Sequence, residues 1–141
     1  WSREKPLSVY TSGSKNDYDY SFANLLEEDN FKEDRSVHNG SSIALLITAN
    51  NKRVLLLGDA HPSVIEDSLR SKGYSEDNPL KVDLVKLSHH GSKANTSNSL
   101  LEIIYCLKFV ISTDGSRHNL PNKTTIARIH RHFPNAKIFL C

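Results

Sequence analysis

From residue 41 to the end of the chain, apolar runs of strand length alternate with amphipathic stretches of helix length. The runs SSIALLITA and KRVLLLGD flank Asn50-Asn51, which predicts a β-hairpin with a tight turn. Pro62 opens and Gly73 closes a stretch with helical spacing of its apolar residues. The remaining pattern predicts a strand at VDLVKLS, a helix at SNSLLEIIYCL, a strand at KFVIS, a helix at KTTIARIHRHF and a strand at NAKIFLC.

Strands that alternate with helices after an opening hairpin predict an α/β fold, and fully apolar strands predict a sheet covered on both faces. The first 40 residues carry a weaker pattern, with one predicted strand at LSVY (7–10) and one short helix around Phe22, Leu25 and Leu26. We therefore interpret residues 1–141 as one partial domain, with an irregular segment at 1–40 and a patterned part at 41–141.

Composition narrows the class of protein. A length of 141 residues suits one domain, and a net charge of +2 is too small to argue for nucleic-acid binding. No apolar run is long enough to cross a membrane, and no signal-peptide pattern follows Trp1. The absence of a starting methionine predicts a piece of a longer protein. Two cysteines, Cys106 and Cys141, favour a reducing, cytoplasmic compartment over a disulfide framework.

Candidate chemistry stands at the ends of two predicted strands. Asp59 directly follows VLLLG, at the strand end where α/β folds place functional groups, although it could equally cap the next helix. His89 and His90 follow VDLVKLS, and imidazoles are common zinc ligands. Two solvated loop histidines are the alternative, but consecutive β-α-β steps bring Asp59 and one histidine to the same edge of a sheet. The pattern therefore predicts part of a metal site.

The blocks LLLGDA, VDLVKLSHHGSKANTS and FVISTDGSRHNLPN resemble the last blocks of metallo-β-lactamase-fold hydrolases, over about residues 36 to 133. The branch with the greatest similarity contains the soluble domain of the competence protein ComEC and related phosphodiesterase-like proteins. This resemblance implies an αββα sandwich, of which the chain would supply one half: a mixed sheet flanked by helices. It implies two zinc or manganese ions, with Asp59 bridging them.

The resemblance also assigns roles to histidines. It implies that His90 or His89 is a metal ligand that follows Asp59 along the sequence. The other of these two histidines would support this ligand or contact the substrate. The block SVHNGSSIALLI implies His38 as a further ligand. His118, in SRHNLPN, resembles a histidine near the substrate, with helix capping as the alternative. Ser92 belongs to a polar loop that could contact a phosphate.

Three other histidines receive no metal role. We interpret His130 and His132 as solvated surface residues and place His61 in the first turn of a helix.

The family's HxHxDH block, which supplies most of the first metal site, is absent from the sequence. The resemblance therefore implies a C-terminal fragment of a metal-dependent hydrolase, inactive alone, whose partner would be its own N-terminal half. A homo-oligomer could instead cover the open flank, and nucleic acid enters only as a possible substrate. The alternative function is a non-catalytic interaction or regulatory domain that retains the fold.

Overall fold

The structure, a computed structural model, describes residues 17–27, 29–113 and 119–141. Its elements in chain order are α1 (Phe22–Glu27), α2 (Val37–Gly40), β1 (Leu45–Ala49), β2 (Lys52–Leu56), α3 (Pro62–Arg70), β3 (Leu80–Lys81), β4 (Leu84–Lys86), α4 (Asn98–Glu102), β5 (Ile104–Tyr105), β6 (Lys108–Ile111), α5 (Lys123–His132) and β7 (Lys137–Leu140). A short 3₁₀ turn, Ser88–Gly91, follows β4. The strand predicted at 7–10 lies outside the described residues.

The predicted hairpin is confirmed. Strands β1 and β2 pair in antiparallel fashion, and the two residues between them, Asn50 and Asn51, have φ angles of 50° and 59°. A two-residue turn of this kind needs left-handed backbone at both positions, which asparagine tolerates better than most residues.

The main sheet has the strand order β1-β2-β4-β6-β7. From β2 onward all neighbours are parallel, so the sheet is mixed, as the resemblance implies. Helices α3, α4 and α5 lie in the connections between its parallel strands. Parallel strands end at one edge of a sheet, and the loops that follow β2, β4 and β6 therefore share that edge.

One predicted helix is shorter than expected. Helix α4 begins after Ser97, whose hydroxyl accepts a hydrogen bond from the Leu100 N–H, but it ends at Glu102. The residues Ile104–Tyr105 instead form a strand that pairs with β3 in a separate two-stranded sheet. Isoleucines after Glu102 suit a strand better than a helix, and the pairing with β3 decides between the two.

The hydrophobic core lies on one face of the main sheet. Leu55, Val85 and Phe109 are in register on β2, β4 and β6 and are almost completely buried. The same core cluster contains residues from all three connecting helices: Ile65 and Leu69 from α3, Leu100 and Leu101 from α4, and Ile129 from α5. These helices therefore cover a single face.

The described residues leave the opposite face of the main sheet open. Its central row runs Leu45, Leu56, Lys86, Val110 and Phe139 across the five strands, and none of these residues is buried. Phe139 remains 46% exposed. A sheet covered on both faces was predicted, but within the described residues only one face has helices.

Besides Lys52 at the start of β2, which forms an ion pair with Asp83, three lysines interrupt this open face. The register places Lys108 directly opposite Lys137 on β6 and β7, one row away from Lys86. Residues opposite each other on paired strands point to the same face, so all three side chains belong to the open side of the sheet.

The described part of the segment before β1 (17–27 and 29–44) is packed against the rest of the protein. The Asp17 carboxylate accepts hydrogen bonds from the N–H groups of Lys123 and Thr124, both at 2.8 Å, at the start of α5. Farther along, Asp29 forms an ion pair with Arg128, and both side chains are less than 10% exposed. The Arg128 guanidinium also donates to the carbonyls of Lys93 and Thr96. Two buried carboxylates thus attach this segment to α5.

Removal of the Asp29 carboxylate tests this attachment. Asp29→Ala leaves a buried guanidinium without its counter-charge, so we expect a loss of about 3–5 kcal/mol in the free energy of unfolding at pH 7. Urea denaturation measures this loss, and Asp77→Ala, at an exposed aspartate, is the control. A loss no larger than that of the control would contradict the assigned role of the pair.

The same pair predicts a pH dependence. Burial raises the pKa of Asp29, but the hydrogen bonds and charge of Arg128 outweigh it and hold the pKa below its usual range. The carboxylate therefore stabilises the fold above the unfolded-state pKa of about 3.9, and this contribution is lost as pH falls through the lower folded-state pKa. The difference between wild type and Asp29→Ala should shrink below about pH 4.

Candidate functional site at the C-terminal edge of the sheet

The two sequence blocks with candidate chemistry lie side by side. Because β2 and β4 are parallel neighbours, the loop after β2 meets the turn after β4. The His89 N–H donates to the Gly58 carbonyl at 3.0 Å, and the Ser88 hydroxyl donates to the Ala60 carbonyl at 2.8 Å. The backbone therefore fixes Gly58-Asp59 against His89-His90.

The histidine pair has an unusual backbone. His89 and His90 have φ angles of 42° and 52°, and Gly91 follows at 80°. Left-handed backbone costs an L-residue with a side chain roughly 1–2 kcal/mol. Gly91 is also required sterically, since a Cβ there would lie 2.8 Å from the Cβ of Pro121. Two strained histidines in succession are typical of positions where function rather than stability selects the residue.

The two imidazoles make different contacts. The exposed His90 has its Nδ1 hydrogen-bonded to the Ser112 carbonyl at the end of β6. A carbonyl can only accept, so Nδ1 of His90 carries the proton and Nε2 keeps its lone pair, as in most metal-ligating histidines. The His89 side chain is about one-third exposed, and its Nδ1 lies 3.2 Å from Asn95 Oδ1.

Asp34 is the charged centre of this edge. Its carboxylate accepts hydrogen bonds from the Ser36 N–H at 2.8 Å and from the amides of Asn39 and Asn95 at 2.5 and 3.5 Å. It lies 3.8 Å from Nδ1 of His89. Burial raises the pKa of Asp34, but these hydrogen bonds hold it below the usual range, so the carboxylate is charged at neutral pH. Sequence reasoning missed Asp34 because it lies in the charged run KEDR, which has no motif.

His61 is a second residue that sequence reasoning undervalued. It occupies the N-cap position of α3 but makes no side-chain capping bond. Within the described part of the chain its Nε2 is buried without a hydrogen-bond partner. The ring packs against Gly40, where a Cβ would lie 3.0 Å from Cε1. An unsatisfied buried nitrogen in this position marks His61 as part of the same edge.

Asp59 is held through its backbone. Its N–H donates to the Ser42 hydroxyl at 2.9 Å, and its carbonyl accepts from the Asn95 amide at 3.4 Å. A Cβ at Gly58 would lie 2.6 Å from the same hydroxyl, so glycine is needed there. Because His61 holds the N-cap position of α3, the alternative role of Asp59 as its cap does not match the structure.

The other predicted site residues are more scattered. His38 lies exposed on α2, and its carbonyl accepts from the Ser41 hydroxyl at 2.8 Å. The Ser92 side chain is buried and its hydroxyl accepts from the Ala94 N–H within the turn. His118 lies outside the described residues. The roles of all three remain predictions.

The two histidines near the end of α5 differ. His130 is exposed, as predicted, and lies beside the ring of Phe22. The prediction of a solvated surface is wrong for His132, which is half-buried, with Nε2 3.0 Å from Asn98 Oδ1. Burial lowers the pKa of His132.

A metal ion needs several ligands converging on one point. Among residues 17–27, 29–113 and 119–141, no group of three or more His, Cys, Asp or Glu side chains is placed to hold one. Asp59, His89 and His90 are ligands of the right chemical type, but the described residues do not by themselves fit a metal ion.

The cost of the left-handed backbone can be measured at His90. His90→Ala and His90→Gly both remove the imidazole and its bond to the Ser112 carbonyl, and they differ only in the Cβ. Glycine adopts positive φ without strain, so we expect His90→Gly to be more stable than His90→Ala by about 1 kcal/mol. Thermal and urea unfolding check this difference. Equal stability of the two variants would argue against the left-handed conformation.

Comparison with known proteins finds a limited similarity. The chain matches no protein-family model. Over 95 residues, 67% of the chain, it is 31% identical to Recombination protein 2 of Haemophilus influenzae. The matched stretch covers 11% of that protein, so the chain spans about a ninth of the length of this relative. No helix among the described residues is long and apolar enough to cross a membrane.

Proposed function

We propose that the chain is the C-terminal half of a metallo-β-lactamase-fold hydrolase that cleaves a phosphodiester or a related ester. The observation that carries the proposal is the contact between Gly58-Asp59 and His89-His90 at the C-terminal edge of parallel strands. Active-site groups of α/β folds concentrate at this edge. The strained backbone of both histidines further supports a functional role.

The open face of the sheet supports the half-sandwich architecture. Among the described residues it presents a largely apolar surface, interrupted by lysines, on five strands, while α3, α4 and α5 cover the opposite face. In an αββα sandwich a second sheet would pack on this face, about 10 Å away. In the proposal the N-terminal half of the same protein supplies that sheet.

The chemistry of the complete protein would need groups that the described residues lack. Two zinc or manganese ions would supply an activated hydroxide near neutral pH, with Asp59 and one of His89 and His90 among their ligands. His38 is the further candidate ligand. Within this chain, the bonds of Asp59 to Ser42 and Asn95 hold its backbone in place, and the Ser112 carbonyl orients the His90 ring.

The substrate class rests on weaker support. The matched relative is named for recombination, which favours a nucleic-acid phosphodiester as the first substrate to test. The net charge of +2 is small, so nucleic acid would enter as a substrate rather than through a broad basic surface.

A non-catalytic interaction or regulatory domain is the second candidate function. It would retain the fold without the chemistry, and it is compatible with the absence of a three-ligand group among the described residues. The two candidates differ in the complete protein, where only the hydrolase depends on Asp59 for turnover.

The first test uses the chain alone. We expect no hydrolysis of a generic phosphodiester above background with zinc or manganese, because the ligands present cannot complete a dinuclear site. Release of the chromogenic product is measured for wild type and for Asp59→Ala. Turnover that disappears in Asp59→Ala would mean that the chain holds a complete site and would refute the half-domain proposal.

The second test uses the complete protein. Asp59→Ala should abolish activity, whereas His89→Ala and His90→Ala should mainly weaken binding of one metal ion, measured as metal content and as activity against added metal. His130→Ala, at an exposed histidine far from the edge, is the matched control and should leave both unchanged. Full activity with both strand-end histidines replaced would reject the site assignment.

A further inference from the structure

The outer strand β1 is uncharged and exposed along its whole length. Its sequence is LLITA, and all five residues are exposed. Among the described residues no strand pairs with its outer side. Native proteins protect outer strands with charges, prolines or bulges. The strand has neither a charge nor a proline, and its continuous register with β2 contains no bulge. It is therefore suited to pairing with another chain.

The hairpin register fixes which main-chain groups of β1 point outward. Thr48 lies opposite Arg53 of β2. The N–H of Arg53 donates to the Asp83 carboxylate at 2.9 Å, and its carbonyl accepts from the Asp83 N–H at 2.8 Å, both on the β4 side. Hydrogen-bonded and non-hydrogen-bonded positions alternate along an antiparallel pair. The N–H and carbonyl groups of Leu46 and Thr48 therefore point away from β2.

A second copy can satisfy these groups about a twofold axis at Ile47. Antiparallel pairing about this axis places Leu46 of each copy opposite Thr48 of the other, and each of these pairs exchanges both of its main-chain hydrogen bonds. Ile47 then faces its own counterpart at the closer, non-hydrogen-bonded spacing. Leu45 lies opposite Ala49, so no charges meet along the paired strands. The edge is thus complementary to itself in hydrogen bonding and in side chains.

The other outer strand is less suited to this pairing. Strand β7 begins with Lys137, which lies opposite Lys108 of β6. Lysines on an outer strand oppose pairing with another chain, and β1 has none. This contrast between the two outer strands directs the association of copies to β1.

We propose that the chain forms a symmetric dimer through β1, in which two five-stranded sheets join into one continuous sheet. The dimer does not rest on the proposed hydrolase function. The N-terminal half in that proposal would pack on the open face of the sheet, whereas the second copy pairs with its edge.

Sedimentation equilibrium of this chain over a range of concentrations tests the dimer. Wild type should show a monomer–dimer equilibrium. Ile47→Lys brings two like charges together at the axis, so we expect the dissociation constant to rise about tenfold or more. Ile47→Glu should have the same effect. An equimolar mixture of the two variants should associate again, because opposite charges then meet at the axis. Phe139→Lys, at an equally exposed residue of β7, is the matched control and should leave the equilibrium unchanged.

A second variant separates the edge of the sheet from its face. Thr48→Pro removes an outward N–H and leaves the hydrogen bonds to β2 in place, as proline does on outer strands. It should weaken the dimer without changing the open face, and circular dichroism checks that each variant keeps its fold. If one variant fails to fold, the other still decides the outcome.

Three results would overturn the proposal. The first is a wild-type chain that stays monomeric up to about 1 mM. The second is a mixture of Ile47→Lys and Ile47→Glu that associates no better than either variant alone. The third is a dimer weakened by Phe139→Lys but not by Thr48→Pro, which would indicate stacking of the open faces. None of these measurements requires hydrolysis, so an inactive protein would leave this inference intact.

Discussion

The parallel pairing of β2 with β4 is the constraint on which the rest of the site depends. It aligns Leu56 with Lys86, and the two strands therefore end at the same level. A crossover through α3 is what permits parallel pairing, and the burial of Ile65 and Leu69 against the sheet stabilises that crossover. A one-residue slip of β4 would turn Val85 out of the core and His89 away from Gly58, so packing of the core and geometry of the site are specified together.

The segment before the sheet contributes residues to the candidate site at the C-terminal edge of the strands. Asp34 reaches the histidine turn because its own N–H donates to the Ala94 carbonyl at 3.0 Å, while Asp17 and Asp29 attach the preceding residues to α5. The three carboxylates in this part of the chain thus have two different roles. Two of them hold the segment in place, and the third orders the amides around His89.

The sequence predicts the elements of the sheet well and the composition of the site only in part. Local sequence rules predict the turn at Asn50-Asn51, the helix start at Pro62 and the strand β4, because each of these signals spans only a few residues. Asp59 and the two histidines follow strands, so their shared edge could be anticipated. Asp34 and His61 could not, because their importance comes from contacts made across the fold. The early end of α4 has a similar cause, since it depends on pairing between β5 and the distant β3.

The lysines on the open face have a consequence for how the chain behaves at high concentration. Uncovered apolar sheets tend to associate with their own copies, and among the described residues β1 and β7 are the outer strands. Two such faces meeting would oppose the cluster of Lys86, Lys108 and Lys137 with its own image. The repulsion between these lysines disfavours stacking of two copies of the sheet. A partner surface that carries carboxylates would remove it. Like charges at such positions oppose self-association, and this opposition weakens as added salt screens them.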